Sequence, residues 1–120
     1  MFGLFKKKID NTVFFIWICS EVVKEYAEQK STGRLFNASN IKKNIKDSAI
    51  SNNIKLSTDQ EKNLSLVCGV LTAEFHIDKT PEFLNLIETI SSERINNPNN
   101  REPVIQFGEY LQRYGIFFNV

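Results

Sequence analysis

The sequence predicts an all-α fold: a single compact, irregular bundle of five to six helices over residues 1–120. Three observations predict it. Apolar residues recur at i, i+3, i+4 spacing in successive segments. Helix-capping residues punctuate those segments. No stretch alternates with period two for long enough to make a strand. With 120 residues and 42% apolar content the chain can form one hydrophobic core, and no linker or internal repeat divides it.

Each element has its own signature. Phe2, Phe5 and Ile9 stand at helical spacing, so residues 2–9 read as a short helix or an N-terminal arm. Asp10 or Asn11 is an N-cap for a long helix to about Lys30, with Gly33 suited to its C-terminal stop. Leu35 and Phe36 look like a loop anchor. Ile41, Ile45 and Ala49, four apart, predict a weaker helix from about Ser39 to Ser51. Ser57-Thr-Asp-Gln60 is a capping box, and it opens a helix to about Ile77 with Leu64, Val67, Cys68, Leu71 and Phe75 on one stripe. Thr80-Pro81 is an N-cap followed by proline at the first helical position. That helix carries Phe83, Leu84, Ile87 and Ile90 and gives way at Asn96-Asn97-Pro98. Pro103 begins the last helix, with Val104, Phe107, Leu111 and Tyr114 on one face and Gly115 at its end. The apolar tail Ile116-Phe117-Phe118 is expected to pack back on the bundle.

Composition narrows function by exclusion. A formal net charge of +1 gives no global attraction to nucleic acid or anionic lipid. Cys19 and Cys68 lie in apolar helical runs and read as reduced core thiols. Lys6-Lys7-Lys8 precedes the apolar run 12–19 as in a secretion signal. However, Asp10 and Asn11 interrupt the approach, no small-x-small cleavage site follows, and bulky Ile18 before Cys19 does not fit a lipoprotein. The run is also too short to span a bilayer, so a cytoplasmic protein without membrane attachment is expected. Thirteen Asn, thirteen Ile and eleven Lys are the bias that AT-rich coding produces, which points to a bacterial or mobile-element gene.

No catalytic constellation, cofactor motif or metal-ligand spacing appears: there is one histidine, His76, and five scattered glycines. A Cys68–His76 pair is formally possible, two turns apart, but Cys68 lies on the core stripe and His76 projects away from it. Ser65, Gly69, Thr72 and His76 share the opposite side of that helix, where small residues suit close packing of a neighbour or a ligand in the groove.

The sharper signal is the first long helix. Phe15, Ile16, Cys19, Val22, Val23 and Tyr26 converge on its expected core face. Glu21, Glu25 and Glu28 line the opposite side, and Phe14 and Trp17 continue that outward stripe. An acidic ridge ending in an aromatic pair has the composition of a protein-binding hot spot. The alternative is that Phe2, Phe5 and Ile9, or Phe117 and Phe118, fold over Phe14 and Trp17.

In its size, helical build, want of a catalytic constellation and the ridge Glu21/Glu25/Glu28, the chain resembles immunity proteins of bacterial polymorphic toxins, including contact-dependent growth-inhibition systems. The resemblance implies a small binding protein, not an enzyme, that neutralises a toxin domain, for example a nuclease, by occluding it. Phe14, Trp17, Glu21, Glu25 and Glu28 are then the expected partner-binding residues, in a monomer or a homodimer. A second reading places a helical regulator or nucleic-acid accessory factor on the basic patch Lys42, Lys43, Lys46 and Lys55. That patch lacks arginine, interleaved aromatics and a reading helix, so the sequence favours a protein partner over nucleic acid.

Overall fold

The computed structural model describes residues 6–97 and 99–118, without the side chains of 94–96. The expected roles of Phe2 and Phe5 lie outside the described residues. Asp10 opens the first helix, α1 (Asn11–Thr32), by accepting the Thr12 N–H at 2.7 Å, and Gly33 closes it at φ 76°. α2 (Ala38–Ser51) is capped by the Asn37 side chain. α3 (Thr58–Ala73) begins with the complete Ser57/Gln60 capping box. A π-helical turn, Glu74–Asp78, extends it, and Lys79 leaves at positive φ. α4 (Pro81–Asn96) and α5 (Glu102–Gln112) complete an all-α bundle. Thr80 stands at the predicted N-cap but does not cap α4: its hydroxyl donates instead to the Glu74 carboxylate. Among the described residues there is no strand, only an isolated parallel bridge between Lys7 and Ile54. No helix among them is long and apolar enough to cross a membrane.

α1 packs on α2, α3 and α4; α2 packs on α3, and α5 on α4. Aromatic rings run through the interior. Phe36 stacks on Phe75 with centroids 3.9 Å apart, and Phe75 meets the edge of Phe83. Phe15 lies between Phe107 and Phe118. The predicted tail does fold back: Ile116 and Phe118 are buried, while Phe117 stays about half exposed. Its backbone is fastened to α3 by Asn63, whose amide donates to the Phe117 carbonyl. Gln60 ties the other end of the chain to α3, its amide donating to the Ile9 carbonyl and to Asn11 Oδ1. Phe36 is the loop anchor, but Leu35 is not; it stands 73% exposed.

The face of α1 is rotated from the expected one. Phe14, Phe15, Ile18, Cys19, Val22 and Glu25 are buried, whereas Ile16, Val23 and Tyr26 are only half-buried. Phe14 is therefore corrected from a partner-facing to a core residue: it is wholly buried, with Phe118 6.1 Å from its ring. Trp17 is half-buried and packed against the core, so it is not the free anchor the sequence suggested. The physical reason is the returning tail, which covers apolar surface that α1 otherwise leaves in water.

Candidate functional site

Of the predicted ridge, Glu21, Glu25 and Glu28 remain neighbours, and with Lys24, Arg34, Asn40, Ile41 and Asn44 they line a groove of about 260 Å³ between α1 and α2. They do not form a free acidic ridge. Glu25 is 5% exposed and spends its carboxylate internally. Arg34 Nη2 donates to Oε1 at 3.0 Å and Nη1 donates to Oε2, the Asn37 N–H donates at 2.9 Å, and Asn40 Nδ2 at 3.3 Å. The Arg34 hydrogen bond chiefly holds the Glu25 carboxyl below the usual carboxylate range, against the opposing effect of burial. Glu25 is thus corrected from a partner-binding residue to the clamp that fixes the α1–α2 loop. The loop turns back at Gly33 and brings Arg34 over α1, which makes burial of the carboxylate tolerable.

Glu21 is also engaged. Its side chain is 13% exposed, bonded by Asn44 at 2.9 Å and by Lys24 at 3.1 Å. Glu28 is exposed and forms no salt bridge among the described residues. Glu28 interacts with Arg34 only through space, so the groove's three carboxylates against Lys24 and Arg34 leave one negative charge in excess, on its exposed member.

The loop that follows Arg34 carries a feature the ridge reading missed. His76 Nε2 lies 2.6 Å from the Phe36 carbonyl, and because a carbonyl only accepts, Nε2 carries the proton. The residues next to the two bonded ones, Leu35 and Ile77, are 73% and 75% exposed. Two aliphatic side chains thus stand largely in water on segments that this bond joins, and Leu35 directly follows Arg34 of the groove in the chain. Leu35 carried a signal, an apolar residue in a polar loop, but its neighbour Phe36 satisfies the need for an anchor. Ile77 marks the expected end of the helix that begins at Ser57, and it stands exposed in the π-turn.

Other candidates are dispersed. Cys68 donates to the Ala38 carbonyl at 3.5 Å and His76 to that of Phe36, so the sulfur and the imidazole serve different backbone groups. Burial pushes the Cys68 thiol up, away from thiolate chemistry. Ser65, Gly69, Thr72 and His76 are exposed, and a methyl group built on Gly69 would meet nothing within 4 Å. Among the described residues, no helix therefore packs closely at Gly69. In the basic patch Lys42 is half-buried, Lys43 is paired with Asp47 at 2.9 Å, and Lys46 and Lys55 are exposed. Among the described residues no group of three or more His, Cys, Asp or Glu is placed to hold a metal. The fold and groove define a small helical bundle with a braced, charged seam between its first two helices. No family model, curated protein or solved structure matches the chain.

Proposed function

We propose that this chain is a small binding protein that neutralises a partner by occlusion, in the manner of a toxin-immunity protein, through the α1–α2 groove and the adjoining Leu35/Ile77 edge. The observation that carries the reading is the pair of three-quarters-exposed aliphatic residues next to the His76–Phe36 bond, one of them on the loop that Glu25 and Arg34 brace. Apolar anchors with a polar rim are the arrangement in which a few residues supply most of the binding energy. The rigid loop lowers the ordering cost on docking. Glu28 supplies the charge that steers a basic partner surface into register.

The test is differential capture from the native cells with wild type, the double variant Leu35→Glu/Ile77→Glu, and Lys46→Glu as a surface control. A partner held by wild type and by the control, but lost with the double variant, supports the surface. Co-expression then decides the activity: the partner alone should arrest growth and the wild-type chain should restore it. A partner bound equally by the double variant rules out this edge, and one that is harmless when expressed alone rules out neutralisation.

A further inference from the structure

We propose a second site, unrelated to the docking edge: a pocket rimmed by Lys6, Lys8 and Lys55 that takes a small soluble phosphate monoester bearing an apolar or aromatic group. The lysines come from segments nearly fifty residues apart. They are joined by the parallel bridge, in which the Lys7 N–H donates to the Asn53 carbonyl and the Lys55 N–H to the Lys7 carbonyl, both at 2.9 Å. In an extended segment alternate residues face the same way, so Lys6 and Lys8 point together while Lys7 supplies the backbone bonds. The resulting pocket, of about 390 Å³, is lined by those three lysines with Ile9, Leu56, Ser57, Thr58 and Gln60. Its size lies in the range of small-molecule sites.

Three properties select the ligand. The lysines are exposed and none forms a salt bridge among the described residues, so three positive charges converge without internal compensation. The nearby carboxylates are occupied or lie elsewhere: Asp10 caps α1, Asp59 lines the neighbouring groove beside Asn63 and Phe117, and none lines this pocket. The floor is apolar, with Leu56 only 8% exposed and Ile9 half-buried on the core. A bare anion would leave that floor in water, and a neutral apolar molecule would leave the lysines unmatched. A phosphate monoester matches both, since ammonium groups bind phosphate oxygens through strong charge-assisted hydrogen bonds. This concentrates the basic character at the junction of the N-terminal segment and the α2–α3 connection, away from Lys42 and Lys43.

The probe is phenyl phosphate, titrated into the ¹⁵N-labelled full chain and followed by amide chemical shifts, with inorganic phosphate and benzyl alcohol as half-ligands. Phenyl phosphate should saturate shifts of residues 6–9 and 55–60 with a Kd of about 1 mM, as expected of so small a ligand. Each half-ligand should bind at least about fivefold more weakly. Lys8→Gln/Lys55→Gln should abolish saturation while leaving the far-UV circular dichroism unchanged, and Lys46→Gln should bind like wild type. Equal affinity for inorganic phosphate, shifts scattered over all lysines, or undiminished binding by Lys8→Gln/Lys55→Gln would overturn the assignment. So would flotation of the chain with phosphatidylcholine vesicles containing phosphatidic acid, if lost in the double variant, because the surface would then belong to a membrane.

Discussion

Replacing Glu25 by Gln isolates the charge of the α1–α2 clamp while keeping the shape of the side chain. In the wild type the carboxylate receives two charge-assisted bonds from Arg34, one from the Asn37 N–H and one from Asn40. The amide oxygen of Gln can keep the Asn37 bond, but its NH₂ faces a guanidinium that cannot accept. The loss is one to two charge-assisted bonds, worth about 1.5–3 kcal/mol each, reduced because Arg34 is partly exposed and regains water. A destabilisation of about 2 kcal/mol follows, well short of the ~3–5 kcal/mol of breaking a fully buried pair. With a urea slope of about 1.5 kcal/mol/M, the midpoint should fall by roughly 1–1.5 M at pH 7. The pH dependence gives the sharper test. Because the folded-state pKa of Glu25 is depressed, its contribution is fully present above the ordinary carboxyl value of 4.5 and is lost as pH falls through the folded value. The gap between wild type and Glu25→Gln should therefore shrink below about pH 4.5 and close in stronger acid. Coincident urea curves at pH 7, or a gap that persists in acid, would refute the clamp.

Three further outcomes follow from the packing. Phe118→Ala uncovers Phe14 and Phe15 and should cost about 3–5 kcal/mol, read in a thermal melt as a fall of roughly 12–20 °C; a shift of a degree or two would mean the tail is not part of the core. Gly69→Ala fills open space on an exposed helix face and should raise stability by about 0.5–1 kcal/mol in urea, whereas a loss would reveal a close neighbour at this stripe. Tyr26, pushed up to about 12 by burial and then by its bond to Glu88, should ionise late in an ultraviolet titration. Its contribution to stability is whole below pH 10 and fades as pH rises towards 12, and Glu88→Gln should make it ionise earlier.

Helix boundaries were legible because they are written in single residues with local chemistry: Asp10, Gly33, the Ser57/Gln60 pair, Pro81 and Gly115 all stand where their cap or turn geometry requires. The phase of α1 was not legible. From Val13 to Cys19 every residue is apolar, so the pattern has no polar face to orient it, and the choice between Ile16 and Phe14 for the interior falls to distant Phe118. Glu25 misled for the opposite reason. Its helical position looks solvated until Arg34, nine residues on, is folded back over it. The π-turn that swings Ile77 outward has no local signature. The meeting of Lys8 with Lys55 depends on one backbone bridge between segments that sequence periodicity treats separately.

The returning tail also sets an order of events in the making of the protein. Phe15 and Phe118 are about 100 residues apart, so at synthesis rates of about 5–20 residues per second α1 waits roughly 5–20 s for the ring that covers it. Helix formation takes about a microsecond. During the seconds of synthesis Phe14 and Phe15 lack the ring that covers them in the folded bundle, so the apolar turn of α1 must wait for a contact that its own neighbours in sequence cannot supply. Closure of the core over α1 thus joins the two ends of the described chain.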